Sequence, residues 1–264
     1  MNIEAHTPTE LLRPFIKTYI TIESQGELTN NVLPDTSPVL AFRYKGKLHY
    51  VEGDIKIDLP PSSISGLRKS RRSFNYLKDT GNILVIFKEA GASAFFKEPL
   101  HELFGESVSL NNFISRQKLS IIEEQLYEAA NNARRIDLIE KFLLVKLYNY
   151  QPDKLISTAI EKIHSAKGFI KIKQLADLLY ISQDAFEKRF RKIVGTSPKQ
   201  FSAIVRMKSI IDIGQQKHTF TEIAYDAGYF DQAHFNKDFK LFTGLAPTDF
   251  FKSPSFMQIT DFLQ

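Results

Sequence analysis

The chain has 264 residues, 43% of them hydrophobic and 25% charged, with a net charge of +5. That length holds one large or two ordinary domains with real cores. The absence of cysteine excludes disulfides, thiol nucleophiles and cysteine-ligated zinc or iron–sulfur sites. No apolar run approaches the length of a bilayer span and the opening "MNIEAHTPTE" is too polar for a signal peptide, so a cytoplasmic protein is expected.

The first ninety residues read mostly as strands. "PVLAFRYKGKLHYV" has two apolar-rich runs about Gly46, the pattern of a hairpin. "VEGDIKIDL" alternates strictly and predicts one half-buried strand with Val51, Gly53, Ile55, Ile57 and Leu59 on one face. "NILVIF" predicts a more fully buried strand. The period then becomes helical. "SAFFKEPLHELFG" is short and broken at Pro99. The next two segments place Leu119, Ile122, Leu126 and Ile136, Ile139, Leu143, Leu147 at spacings of three and four, an antiparallel helical pair. The polar "YQPDK" breaks this pattern at Pro152, which sets a boundary between residues 1–150 and 153–264.

Residues 1–152 carry 19 Lys and Arg against 18 Asp and Glu, whereas residues 153–264 carry 16 against 12. The positive excess in the second part is a mild signal for a polyanionic partner. No strand is expected there. Helices are predicted over about 154–165 and over "KIKQLADLL", followed by a tight turn at "YIS" and a third helix over 183–194. Ser182 is its N-cap and Gly195 its end. Ser197, Pro198 and Gln200 mark a fourth start, running to about Gln215. Thr219 to Glu222 opens a fifth short helix ending at Gly228, Asp231 caps a sixth ending near Gly244, and Pro247 begins a seventh.

This part is built twice. Phe186, Phe190, Gly195, Pro198 and Phe201 recur 49 residues later as Phe235, Phe239, Gly244, Pro247 and Phe250. A short helix with an inner alanine (Ala176, Ala224), a turn and a polar-faced helix make a helix-turn-helix, here over about 171–194 and 220–243. With the phenylalanines turned inward, the outer faces hold Gln183, Asp184, Glu187, Lys188, Arg191 and Lys192 in the first unit. In the second they hold Gln232, Ala233, Asn236, Lys237 and Lys240. Amide and basic side chains on an exposed helix suit base edges and phosphates. A solvated face is the plain alternative, weakened by the matched repetition in the basic part of the chain.

Residues 168–251 resemble the DNA-binding domain of the AraC/XylS family of bacterial transcription regulators. The resemblance rests on "GFIKIKQLADLLYISQDAFEKRFRKIVGTSPKQF", Arg206, "TEIAYDAGYFDQAHFNKDFKLFTG" and "APTDFF". A looser likeness through "LPDTSPVLAFRY" and "VIFKEAGASAFF" is to a domain that precedes this module in some members. The resemblance implies a seven-helix domain whose third and sixth helices enter successive major grooves. It puts Asp184, Glu187 and Lys188, then Gln232, Ala233, Asn236 and Lys237, at the bases. Read apart from the resemblance, His234 beside the second unit is a candidate backbone contact. The chain departs from the pattern at Tyr180, which stands in a turn position usually small, and at the acidic Asp184 and Glu187.

The whole is expected to be α+β: a β-rich N-terminal domain with a trailing helical pair, then an all-α domain. Family members usually join the module to a domain that senses a small-molecule effector or dimerises. Phe42, Tyr44, Tyr50, Phe74, Tyr76 and Phe87 either enclose an apolar effector or fill a core. The expected partners are double-stranded operator DNA, a small-molecule effector, a second copy of the chain and RNA polymerase. No cofactor or metal is expected. A small-molecule-binding or cupin-like enzyme domain fused to a DNA-binding module is the rival reading, but His6, His49 and His101 offer no paired spacing for a metal and no catalytic fingerprint is present. The basic run "GLRKSRRSF" is expected to be a solvated loop, with an anchor for an anionic effector or a phosphate contact as alternatives.

Overall fold

The computed structural model describes residues 1–147, 150–214, 222, 228–229 and 231–252. Among them, ten strands form two antiparallel sheets. In spatial order the first sheet holds β1 (Asn2–His6), β2 (Ile16–Ser24), β9 (Thr80–Phe87), β4 (Val39–Lys45), β7 (Ser62–Ser65) and β10 (Ser107–Ser109). The second holds β3 (Leu28–Val32), β8 (Arg72–Tyr76), β5 (Leu48–Glu52) and β6 (Ile55–Asp58).

The first sheet is covered on both faces. On β4, Leu40, Phe42 and Tyr44 pack beneath the helical pair α1 (Arg116–Glu128) and α2 (Asn132–Lys146), while Val39, Ala41 and Arg43 look toward the second sheet. On β9, Ile83, Val85 and Phe87 turn to the helices, and Leu84 and Ile86 turn the other way. A strand buried on both sides has no polar face, which is why "NILVIF" reads as an unbroken apolar run.

Two sequence expectations are corrected. β4 and β5 do not form a hairpin. β4 pairs with β7 and β9 and β5 pairs with β6 and β8, so the chain crosses from one sheet to the other at Gly46. A Cβ on Gly46 would meet the Thr80 Cα at 2.6 Å, so the corner admits no side chain. Nor is "VEGDIKIDL" one strand. β5 and β6 fold back on each other with Glu52 opposite Ile55, and Ile55 and Ile57 are 64% and 46% exposed. The two-residue Gly53-Asp54 connection is a hairpin signal that overrides the alternation.

The C-terminal part is helical: α3 (Lys154–Ser165), α4 (Ile172–Leu178), α5 (Gln183–Val194), α6 (Pro198–Gly214), α7 (Gln232–Thr243) and α8 (Pro247–Phe250). The expected fifth helix with Thr219 and Ala224, and His218, lie outside the described residues. The start signals act as expected. The side chains of Asp153, Ser182, Ser197 and Asp231 accept hydrogen bonds from the backbone N–H three residues on, at 3.2, 3.4, 3.1 and 2.7 Å. Gly195 and Gly244 end their helices at φ +96° and +82°, where an L side chain is strained.

The two parts share a buried boundary. Leu33 and Leu67 from the sheets sit in the same apolar cluster as the C-terminal helices. Asp35 is ion-paired to Lys208 of α6, both largely buried. Glu89 receives Thr36 Oγ1 at 2.7 Å and lies 3.3 Å from His164 Nε2 on α3. Burial raises the Glu89 carboxyl, but the hydrogen bonds from His164 and Thr36 outweigh it and hold the group down at about 2.

Candidate nucleic-acid interface and inter-sheet cavity

The two repeated helices are anchored alike. Phe186 and Phe190 of α5, and Phe235 and Phe239 of α7, are fully buried, with ring centroids 5.6 Å apart in each pair. Phe190 continues onto Phe201 at 5.5 Å, and Phe239 onto Phe250 at 5.4 Å. One i,i+4 aromatic pair fixes the helix rotation, so the opposite faces have to point outward. Ala176 of α4 is buried, and its carbonyl accepts the Ile181 N–H at 3.2 Å to close the turn into α5. Tyr180 occupies that turn at φ +54° and is 98% exposed.

The outer faces carry the residues singled out in the sequence. Gln183, Asp184, Lys188, Arg191 and Lys192 are exposed and Glu187 is half-buried. Gln232, Ala233, His234, Asn236, Lys237 and Lys240 are all exposed. On α5 the charges are paired along the helix: Lys188 with Asp184 at 2.9 Å and Arg191 with Glu187 at 3.5 Å, while the Gln183 amide donates to Glu187 at 3.0 Å. On α7, His234 faces Asp238 at 3.7 Å, and Lys237 and Lys240 have no ion-pair partner among the described residues. Tyr229 braces the start of α7 against the His234 and Phe235 rings, at 5.3 and 5.4 Å. Burial foremost, then Asp238, pushes its phenol up to about 12.

The six N-terminal aromatics separate. Phe74 and Tyr76 line a cavity of about 90 Å³ between the two sheets. Phe42, Tyr44 and Phe87 belong to the core beneath α1 and α2. Tyr50 lies in an outer groove with the Arg72 guanidinium 5.3 Å above its ring.

The run "GLRKSRRSF" is not a solvated loop. Arg68 donates to the carbonyls of Val32 and Leu33 at 3.1 and 2.8 Å. Arg71 donates to the Asn31 side-chain Oδ1 at 2.5 Å, and Arg72 to the Ser107 hydroxyl at 2.5 Å. Backbone and side-chain acceptors at the sheet ends draw these side chains in, leaving Lys69 exposed. Sequence reasoning missed Arg43 as a cavity residue and the pairs that join the two parts. The polar residues in "LPDTSP" were the available signal for Asp35 and Thr36.

Residues 175–253 match the family model of a helix-turn-helix domain, and residues 4–109 match a family described as a domain of unknown function. The chain is 30% identical to an uncharacterized HTH-type transcriptional regulator of Haemophilus influenzae over 160 residues, 60% of this chain and 52% of that protein. It is 28% identical to the Msm operon regulatory protein of Streptococcus mutans over 182 residues, 67% of this chain and 63% of that protein. The match thus spans about half to under two thirds of these relatives' length. ToxT from Vibrio cholerae aligns over 96% of this chain and 98% of its own, at 12% identity and a TM-score of 0.45. The family match thus places a helix-turn-helix domain over the helical part of the chain, behind a β-rich part that carries the second match.

Proposed function

We propose that the chain is a sequence-specific DNA-binding transcription regulator in which α5 and α7 enter successive major grooves on one face of the duplex. Residues 153–264 form the DNA-binding domain, and residues 1–150 sense a small molecule or mediate dimerisation. The observation that carries this reading is the matched pair of exposed polar faces, charged on α5 and amide-and-basic on α7, each held by a buried phenylalanine pair and the same kind of caps. The regulatory descriptions of the two relatives support it. Promoter action in the cytoplasm, with contacts to RNA polymerase, follows from it.

Footprinting of the full chain on a selected duplex tests the reading. Two protected major-groove segments about ten base pairs apart per monomer are expected. With about six phosphates contacted, log K should fall with log salt at a slope of roughly −5. A single protected segment contradicts the two-groove reading, and no duplex binding at low salt contradicts the function. Turnover of a small molecule that binds residues 1–150 would favour the fused-enzyme reading instead.

A further inference from the structure

The inter-sheet cavity is apolar along most of its wall, with Ile20, Ile22, Leu84 and Ile86 from the first sheet facing Phe74 and Tyr76 from the second. Two arginines interrupt it, Arg43 of β4 and Arg68 of the loop before β8. Neither has a carboxylate within ion-pair distance among the described residues. Arg43 gives one hydrogen bond to the Leu59 carbonyl at 3.1 Å. Arg68 is bound to two carbonyls, but its Nε is shut from solvent with no acceptor, and the Asn82 Oδ1 across the same cavity is shut from solvent with no donor.

Backbone carbonyls satisfy N–H groups without neutralising charge. Burial pushes the Arg68 guanidinium down to about 10, with Arg72 adding to the effect. Asp35 acts on Arg68, and Asp58 and Glu123 on Arg43, only from beyond ion-pair distance. A desolvated cation with no carboxylate in contact is costly, and an anion placed beside it recovers that cost. A purely structural arginine explains the two carbonyl bonds but not why a second arginine lines the same apolar space.

We propose that this cavity binds a compact organic carboxylate, with its anionic group on Arg68 and Arg43 and its apolar body against the isoleucines of β2 and β9. The proposal rests on the regulator reading above and names the chemical class of its effector. An inorganic anion would leave the apolar wall unused, and a neutral apolar molecule would leave both guanidiniums with no anion in contact. At about 10–15 Å³ per water-sized group, the space holds roughly six to nine such groups, the size of a six-carbon acid.

The site is also wired to the helical part. The carbonyls held by Arg68 belong to Val32 and Leu33, and Leu33 and Leu67 are both buried in the helical cluster. Two residues beyond Leu33, Asp35 holds Lys208 of α6. An anion that redirects Arg68 therefore acts on the segment that grips the helix linking the two helix-turn-helix units.

The test is calorimetric titration of the full chain with hexanoate, 1-hexanol and acetate. Hexanoate is expected to bind with a dissociation constant of about 1 mM or below, and the other two at least tenfold more weakly. Arg68→Met should abolish the preference. Should that variant fail to fold, Arg43→Gln decides, with an expected loss of about tenfold, or 1.4 kcal/mol. Hexanol binding as well as hexanoate, an Arg43→Gln variant that binds as the parent does, or no hexanoate binding at all would each overturn the proposal. The same preparation is assayed on duplex DNA. Duplex binding without hexanoate binding defeats this inference alone, and loss of both defeats the regulator reading as well.

Discussion

The helices α5 and α7 share caps, length and anchors, yet they present different chemistry. At the 49-residue offset Gln183 and Lys188 keep their types as Gln232 and Lys237, whereas Asp184 becomes Ala233 and Glu187 becomes Asn236. These four positions therefore carry a net −1 in the first unit and +1 in the second. The salt bridges on α5 are not what separates the two, because an exposed i,i+4 pair is worth only about 0.3–0.5 kcal/mol and a phosphate can displace it. The carboxylates themselves matter, since they repel the duplex backbone and recognise little beyond a cytosine amino group. A repeat can thus preserve its scaffold and exchange the chemistry of its outer face.

The scaffold can be broken equally on both sides. Phe190→Ala and Phe239→Ala should each cost about 3–5 kcal/mol, because each deletes a fully buried ring joining two helices. Urea denaturation checks this, and a cost below about 1 kcal/mol for either would mean that the units are not anchored alike.

Acid should act on α3, which packs against the first unit. The depressed Glu89 carboxyl contributes stability that is present above its unfolded value of about 4.3 and lost as pH falls toward about 2. The loss should be about 3 kcal/mol and should loosen α3, which packs against α5. Glu89→Gln should flatten stability over that pH range in thermal melts. An unchanged profile would remove this contact from the account.

The smallest effect separates the lysines. Lys237→Ala should weaken all sequences alike and reduce the salt slope by about one unit. Lys188→Ala should change it less, since removing that charge also releases Asp184, 2.9 Å away. Equal changes in slope would show that the acidic residues of α5 do not matter.

The helical part was legible because its signals are local. Caps at Ser182, Ser197 and Asp231, glycine ends and i,i+4 phenylalanines all act within a few residues of themselves. The β-rich part was less so, because strand pairing is decided by distant segments. Gly46 marks a turn in the sequence, yet whether it joins paired strands or two sheets depends on β8 and β9. The same limit hid the cavity: Arg68 reads as one cation in a basic run, and its burial is set by carbonyls 35 and 36 residues away.

The claim that the second unit reads sequence while the first chiefly holds phosphate has one direct measurement. Base preferences of the parent, Asn236→Ala and Glu187→Ala are compared over all single-site variants of a selected operator. Gln232 and Asn236 lie at i and i+4 on one exposed face of α7, and an amide can pair in bidentate fashion with adenine N6 and N7. Asn236→Ala should therefore lose about 1–3 kcal/mol at one base pair and leave the others nearly unchanged, while Glu187→Ala keeps the parent's preferences. The reverse outcome, with preferences retained in Asn236→Ala and lost in Glu187→Ala, would contradict the account.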